Sequence, residues 1–287
     1  MMATIPVMKF GGISMQGKNR FGPDEDRLLE ECRRLREVNE IYRLLAQRRN
    51  AARARRLAQV ARDFILPLTR DGLVPVVVVS AFDWATDKLD QLAASITSEP
   101  SPREYARLLM SGELRANSAL AMTLEEKRCP ARSMTGREAG IVTCGGPVDA
   151  GIARVESQHV RELVAKGIVP VVAGFQGYYN DADSGRDEVS ILGRGGSNLT
   201  AVALAHALEQ DSCTMFTDVD GVYDCDPNIH DDACKLDEVT VEDLLQMDPF
   251  PQVIQRESLE YAREQGINVW IRSAFEPERR GTLIICA

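Results

Sequence analysis

Two kinds of apolar pattern alternate along this chain. Short apolar runs, many of them rich in β-branched residues and followed by glycine, are typical of buried strands. The clearest such runs are residues 5–10, 74–79, 139–143, 167–175, 213–223, 266–271 and 282–285. Longer stretches with apolar residues at helical spacing begin at Pro23, Thr86, Leu108 and Leu199. Because strands and helices alternate, the pattern predicts an α/β fold with a mostly parallel sheet sandwiched between helices.

Polar residues mark two further features. Residues 178–188 are polar and acidic and predict an exposed hairpin. The first helical region ends at Asp71-Gly72, and its second half carries a basic patch that consists of Arg43, Arg48, Arg49, Arg53, Arg55 and Arg56. Such a patch suits an acidic partner or a subunit contact, but a solvated helical face is the favoured interpretation.

A glycine-rich turn at residues 191–198 leads into the alanine-rich helix of residues 199–208. Glycines let main-chain N–H groups approach an anion, and a helix N-terminus attracts negative charge. Ser197 or Asn198 is expected to cap this helix, and Arg194 offers a planar fork for a carboxylate. The stretch therefore favours an anion site over the alternative, a tight turn that only lets the helix pack on a strand.

Lys9 stands at the end of the first predicted strand, just before Gly11-Gly12. An ammonium beside glycine N–H groups is a plausible phosphate site, although the spacing differs from that of a P-loop. The alternative is a surface lysine beside a turn. The second strand brings Ser80-Ala81 to the carboxyl edge of the sheet, where α/β proteins place ligands.

Glu113 lies in the helical stretch of residues 108–124, and small or apolar residues follow it. If it were buried, it would need a cationic partner such as a substrate ammonium. Taken from the residues alone, an ordinary exposed glutamate is the favoured interpretation.

Composition narrows the class of protein. The 287 residues carry a net charge of -9, which argues against a general nucleic-acid binder. We expect no membrane span, because no apolar run reaches about 18 residues, and no signal peptide, because the N-terminus lacks the pattern. The seven scattered cysteines fit reduced thiols in the cytoplasm, and the three isolated histidines give no metal-ligand spacing.

Several motifs occur in an order that resembles the catalytic domain of aspartokinase, in the amino-acid kinase family. They are Lys9-Phe10-Gly11-Gly12, Val79-Ser80-Ala81 with Thr86, Ser111-Gly112-Glu113, Gly174-Phe175-Gln176-Gly177, Gly193-Arg194-Gly195-Gly196-Ser197, the segment 217–223 with Asp226-Pro227, and Gly281-Thr282-Leu283-Ile284. The resemblance covers nearly the whole chain, apart from a helical insertion at about residues 27–65.

The resemblance implies one three-layer α/β/α domain over residues 1–287, with an acid-binding part at about 1–175 and a nucleotide-binding part at about 176–287. It implies transfer of the γ-phosphoryl group of ATP to the side-chain carboxylate of aspartate or a close analogue, which gives an acyl phosphate. Mg²⁺ would bridge the phosphates. A cytoplasmic homodimer that acts in amino-acid biosynthesis is the corresponding expectation.

Residue roles follow from the same resemblance. Lys9, Gly11 and Gly12 would hold the phosphoryl oxygens, Arg194 the α-carboxylate and Glu113 the α-ammonium. The acceptor or phosphate pocket would be lined by Ser80, Thr86, Ser197 and Asn198. The nucleotide would contact Thr217, Asp218, Tyr223, Asp226 and Pro227, together with Lys9 and Gly12.

The sequence departs from the family pattern in four places. Asn198 stands where aspartokinases carry aspartate, and Asn228 where they usually carry arginine. The segment 250–254 replaces one that contains a lysine, and Gln255-Arg256 follows it in place of His-Pro. The chain also ends soon after Ile284, so we expect no regulatory domain and no feedback inhibition through one. These changes leave two alternatives open: a kinase of another small acid, of phosphonate or carbamate type, or a catalytically impaired nucleotide-binding homologue.

Overall fold

A computed structural model describes residues 4–16, 38–82, 85–182, 185–225, 227, 229–230, 232–247, 250–251 and 253–286. Within these ranges the strands are β1 Val7–Phe10, β2 Val76–Val79, β3 Ala131–Met134, β4 Ile141–Cys144, β5 Gly151–Val155, β6 Val169–Ala173, β7 Gln176–Asp181, β8 Arg186–Ile191, β9 Ser212–Thr217, β10 Val222–Tyr223, β11 Lys235–Leu236, β12 Glu238–Thr240, β13 Asn268–Ser273 and β14 Thr282–Ile285.

The helices of the same ranges are α1 Gly12–Gln16, α2 Val38–Val60, α3 Leu66–Arg70, α4 Ala85–Ile96, α5 Pro102–Glu126, α6 Gln158–Ala165, α7 Gly196–Ala207, α8 Val241–Gln246 and α9 Arg256–Gln265. A π-helical turn, Ala61–Ile65, joins α2 to α3. No helix in the described part of the chain is long and apolar enough to cross a membrane.

The main sheet has eight strands in the order β12-β14-β13-β9-β1-β2-β6-β3. All neighbouring strands in it are parallel except β13 and β14. The predicted α/β class with a mostly parallel sheet is therefore confirmed. A second sheet, in the order β5-β4-β7-β8, contains the predicted hairpin, which spans β7 and β8 and is longer than the 178–188 stretch.

Hydrophobic cores lie on both faces of the main sheet. In β2, Val76 and Val78 belong to one core, and Val77 and Val79 belong to the other, because successive side chains of a strand point to opposite faces. Helices α6, α7 and α9 contribute to the first core, and α2 and α5 to the second. This arrangement is the three-layer α/β/α sandwich.

The first helical region ends at Asp71, as the sequence predicts. The predicted beginning of that region, at residues 23–37, lies outside the described residues. Helix α5 is longer than the predicted helix of residues 108–124. Several short elements give no clear pattern in the sequence and were not predicted: β3, β5, α6, β12, α8 and α9.

Arg56 corrects the interpretation of the basic patch as a solvated face. Only 5% of this residue is exposed. Its Nε donates to the carbonyl oxygen of Ser14 at 2.7 Å, its Nη2 donates to that of Ala274, and its guanidinium lies 4.2 Å from the ring centre of Phe275. In the same patch Arg48, Arg49 and Arg55 are exposed. Arg56 therefore fastens α2 to the segments after β1 and β13, because its donors reach main-chain acceptors that are distant in sequence.

Candidate active site at the carboxyl edge of the main sheet

Four neighbouring strands, β9, β1, β2 and β6, run parallel and end at the same edge of the sheet. Main-chain hydrogen bonds join the segments at these ends: Gly11 N–H to the Phe216 carbonyl at 3.3 Å, Ser80 N–H to that of Phe10 at 3.2 Å, and Gly174 N–H to that of Val79 at 3.0 Å. This edge is where open α/β sheets bind ligands. We call it the carboxyl edge.

Lys9 lies on β1 next to this edge and is partly buried. A Cβ atom built onto Gly11 would lie 3.3 Å from Nζ of Lys9, so glycine leaves the space over the ammonium open. Burial strips water from this ammonium and lowers its pKa from 10.5 to about 8. Lys9 forms no ion pair with any residue of the described ranges, so its charge is available to an anion.

Gly12 begins the short helix α1, and the position of this helix is fixed from two sides. The Ser14 hydroxyl, which is buried, donates to the carbonyl oxygen of Phe216 at 3.0 Å. The Ser14 carbonyl oxygen in turn accepts from Arg56. The glycine segment after β1 is thereby held in place beside β9.

Helix α7 brings a second glycine segment to the carboxyl edge. Gly195 precedes its first residue with φ of 79°, a left-handed conformation that favours glycine. A Cβ atom on Gly174, at the end of β6, would lie 2.8 Å from Cβ of Ser197. The absence of that Cβ lets the first turn of α7 contact the strand end directly, as close packing of helix and strand requires.

The predicted capping of this helix is wrong. Ser197 and Asn198 both lie inside the first turn, and the residue at the cap position is Gly195. A glycine in the left-handed region already turns the chain at the cap position, which moves both polar residues into the helix. There Asn198, only 5% exposed, donates from Nδ2 to Oε1 of Gln255 at 2.7 Å, while its Oδ1 has no partner in the described part of the chain.

Glu113 is 3% exposed, so the interpretation as an ordinary exposed glutamate is wrong. The face of α5 that carries it packs over the end of β2, and its Oε1 accepts from the main-chain N–H of Ala81 at 3.2 Å. Its Oε2 is buried and has no hydrogen-bond partner among the residues that the structure describes. Burial raises the pKa of Glu113 from 4.5 to about 7. An unpaired buried carboxyl oxygen suits a cationic donor from a ligand.

The remaining residues of the predicted acid pocket lie around the carboxyl edge. Ser80 follows β2 and Thr86 lies in the first turn of α4, and both are partly buried. Arg194 is exposed on the turn before α7 and forms no ion pair with a residue in the described ranges. Its positive charge acts on the Tyr105 hydroxyl, which donates to Asp90 at 2.7 Å. The Asp90 bond raises the pKa of Tyr105 to about 12.

The predicted nucleotide segment follows β9. Thr217 ends that strand, and its hydroxyl donates to Oδ1 of Asp218 at 3.1 Å. The Tyr223 hydroxyl donates to Oδ1 of Asp220 at 2.9 Å, and Arg279 lies 2.8 Å from Oδ2 of the same carboxylate. Pro227 is exposed. The predictions for Asp226, Asn228 and Gln252 concern positions outside the described residues.

Three side chains that make contacts in this region were not predicted from the sequence. Arg56, Gln255 and Arg279 reach the site from segments distant in the chain, and no local pattern separates Arg56 from its exposed neighbour Arg55. Of the three, only Gln255 stands out in the sequence, because it departs from the family pattern. In the ranges that the structure describes, no group of three His, Cys, Asp or Glu side chains is arranged to hold a metal ion.

Comparisons with known proteins identify what the chain resembles. A model of the amino acid kinase family matches residues 4–287. The chain is 40% identical to the aspartokinase of Mycobacterium tuberculosis over 237 residues. This match covers 82% of this chain and 55% of that protein. It is also 40% identical over 232 residues to the aspartokinase of Corynebacterium glutamicum, over 80% of this chain and 54% of that protein.

Solved structures agree with these matches. The aspartate kinase of Synechocystis superposes with a TM-score of 0.73 at 29% identity, over 98% of this chain and 40% of that one. Aspartokinase III of E. coli in complex with aspartate and ADP superposes with a TM-score of 0.71 at 21% identity, over 98% of this chain and 64% of that one. At this level of identity the likeness shows the fold alone. The chain spans about half the length of the curated relatives it matches.

Proposed function

Because the chain belongs to the amino acid kinase family, we propose that it transfers the γ-phosphoryl group of ATP to the side-chain carboxylate of aspartate or a close analogue. The product is an acyl phosphate, and the enzyme is a phosphotransferase with a carboxyl group as acceptor. One observation carries the proposal: the carboxyl edge places a partly buried lysine, two glycine segments and a buried carboxyl group with an unpaired oxygen on adjoining strands and helices.

Lys9 and the glycines after β1 receive the phosphoryl oxygens. Phosphoryl transfer depends on positioning and on neutralisation of charge, more than on covalent help from the protein. With a pKa of about 8, the Lys9 ammonium is mostly charged near neutral pH. The space above Gly11 lets an oxygen approach this ammonium.

Glu113 and Arg194 hold the amino acid. The open Oε2 of Glu113 accepts from the α-ammonium, which also supplies the cation that an ionised, buried carboxylate needs. The guanidinium of the exposed Arg194 donates two hydrogen bonds to the α-carboxylate. The pocket of the acceptor is lined by Ser80, Thr86 and Ser197. The attacking carboxylate is already ionised near neutral pH, so no residue has to act as general base.

The nucleotide lies against the segment after β9. Thr217, Asp218 and Tyr223 contact it, together with Asp226 and Pro227, and the bonds from Tyr223 and Arg279 to Asp220 keep Tyr223 in place. The described residues offer no group of three carboxylate, histidine or cysteine ligands, so a magnesium ion would be held mainly by phosphate oxygens and water, as Mg²⁺ in kinases usually is. When bound, that ion neutralises phosphate charge.

A second candidate follows from Asn198. Its neutral amide, bonded to Gln255, occupies a buried position in the first turn of α7. Loss of a negative charge at this position weakens attraction to an ammonium, which favours a small acid without an amino group, such as a phosphonate or a carbamate. Improved turnover of aspartate by Asn198→Asp would show that the site has changed from an ordinary aspartokinase.

An ADP-release assay across amino acids and related small acids tests the proposal. Turnover with aspartate or a close analogue supports the first candidate, and turnover only with an acid that lacks an amino group supports the second. Absence of turnover with every acid would contradict both. The homodimer and the cytoplasmic location remain predictions, and sedimentation of the purified protein tests the first of them.

A further inference from the structure

Arg56 joins two segments of the carboxyl edge that are distant in the sequence. Its Nε donates to the carbonyl oxygen of Ser14, in the short helix that follows β1, at 2.7 Å. Its Nη2 donates to the carbonyl oxygen of Ala274, which directly follows β13. The two acceptors come from opposite ends of the chain, so this one side chain holds both segments at once.

The same two segments are also joined through the end of β9. The Ser14 hydroxyl donates to the carbonyl oxygen of Phe216 at 3.0 Å. The N–H of Ala274 donates to the carbonyl oxygen of Thr217 at 2.8 Å. Because Phe216 and Thr217 are consecutive residues, these bonds and the two bonds of Arg56 close a ring. This ring, which we call the strand-end ring, joins the segments after β1 and β13 to the end of β9.

Arg56 reaches the strand-end ring from the face of the sheet that lies opposite Lys9. Val7 packs in the core that contains α7, and Phe10 packs in the core that contains α2. Since successive side chains of a strand point to opposite faces, Lys9 points to the side of α7. Arg56 belongs to α2 on the other side and is buried. It is therefore placed to act on a ligand only through the main chain that it holds.

We propose that Arg56 is a positioning residue for phosphoryl transfer. The inference rests on the proposed function, which assigns the segment after β1 to the phosphoryl group and Thr217 to the nucleotide. By its bonds to Ser14 and Ala274, Arg56 fixes how far the first of these segments lies from the second. A misplacement of about 1 Å at the reacting groups can cost about 10²-fold in rate, so the fixed separation keeps the phosphoryl group in line for transfer.

The two residues assigned to the amino acid lie outside the strand-end ring. Glu113 is bonded to Ala81, which follows β2, and Arg194 lies on the turn before α7. Neither β2 nor this turn carries an acceptor of Arg56. Loss of the Arg56 side chain should therefore affect the nucleotide and the rate of transfer, while the acid continues to bind as before.

Steady-state kinetics, measured at a temperature at which every variant is folded, test the assignment. Arg56→Ala should raise the KM for ATP and lower kcat, each roughly tenfold, and leave the KM for the acid unchanged. Arg56→Lys keeps a charged donor on α2 and should recover part of both losses. Leu57→Ala removes buried apolar packing from the next residue of α2, so it controls for lost stability and should keep the wild-type KM for ATP.

Three results of these kinetics would overturn the proposal. One is a KM for ATP and a kcat that do not change in Arg56→Ala. Another is an equal loss in Leu57→Ala, which would assign the effect to stability alone. The third is a rise in the KM for the acid as large as that for ATP, which would show that the whole site had been disturbed.

Hydrogen exchange of the ligand-free protein tests the strand-end ring without any assay of activity. The N–H of Met15, bonded within α1, and the N–H of Ala274 report on the two segments. Both should exchange faster in Arg56→Ala and at the wild-type rate in Leu57→Ala. Unchanged exchange at both positions would overturn the inference and leave the proposed function intact. If both exchange faster while the wild-type protein binds no ADP, the proposed function is at fault, and with it the role in transfer, whereas the joining of the two segments by Arg56 stands.

Discussion

The main-chain nitrogen of Ala81 lies 3.2 Å from Oε1 of Glu113, and this bond joins α5 to the end of β2. It satisfies only one carboxyl oxygen, since Oε2 is buried and no described residue bonds to it. The carboxyl group is therefore anchored by one oxygen and open at the other. We propose it as the acceptor for a cationic group of a ligand at the carboxyl edge.

Replacement of Glu113 by glutamine should chiefly weaken the binding of the amino acid. The variant keeps the size of the side chain but loses the charge, so the KM for the acid should rise about 10- to 100-fold, as expected for a charged hydrogen bond of about 1.5–3 kcal/mol. Steady-state kinetics measure this change. Glu125→Gln, an exposed change on the same helix, is the matched control, and an equal KM for both variants would contradict the assignment.

The titration of Glu113 predicts opposite effects of pH on binding and on stability. Its pKa of about 7 in the folded protein lies above the ordinary value of 4.5. Neutral Glu113 is favoured in the fold, so its contribution to stability is present below pH 4.5 and is lost as pH rises to about 7. Over the upper part of this range the carboxyl group ionises, and an ammonium-bearing acid should bind more tightly.

Two titrations check this pH dependence. Calorimetry of the amino acid should give a smaller Kd at pH 8 than at pH 6, and Glu113→Gln should lose most of this difference. Chemical unfolding should show that the variant gains stability relative to wild type as pH rises through the same window. A Kd that does not change with pH in the wild-type protein would count against an ammonium at Glu113.

Arg194→Ala should raise the KM for the acid at least as much as it lowers kcat. The guanidinium is exposed and free of ion pairs within the described ranges, so its removal disturbs little besides the ligand. Arg132→Ala, on the exposed side of β3, controls for loss of charge. If the KM for the acid stays unchanged, Arg194 does not bind the α-carboxylate.

Arg56→Ala should destabilise the fold. It removes two donors to main-chain oxygens and the stacking on Phe275, and unpaired buried acceptors make such a change cost about 2–4 kcal/mol. Thermal unfolding should show a clear fall in Tm, whereas the exposed Arg55→Ala should unfold close to wild type. Equal melting of the two variants would show that Arg56 is not an anchor.

Local features could be predicted from the sequence. The apolar runs of β1, β2, β6 and β9 and the glycine turn before α7 carry their own signals, because period and turn chemistry act over a few residues. The mostly parallel direction of the strands was predicted from their alternation with helices. The end of the second strand also predicted that Ser80 lies at the carboxyl edge.

Contacts between distant segments could not be predicted in the same way. The burial of Glu113 depends on which face of α5 lies over β2, and the anchor at Arg56 depends on how α2 crosses two loops. The capping prediction for Ser197 failed because Gly195, two residues earlier, takes a left-handed conformation and occupies the cap position itself. Short elements such as β3 and α8 owe their form to their neighbours in the fold.

One measurement tests the central claim, that Lys9 and the carboxyl edge transfer phosphate to a carboxyl group. Purified protein is given ATP, Mg²⁺ and aspartate in the presence of hydroxylamine, which traps acyl phosphates as hydroxamates. The account predicts hydroxamate in step with ADP, and about a 10²- to 10³-fold lower kcat in Lys9→Ala, with unfolding unchanged and Lys88→Ala near wild type. ADP release without hydroxamate for any carboxylic acid, or undiminished turnover in Lys9→Ala, would contradict it.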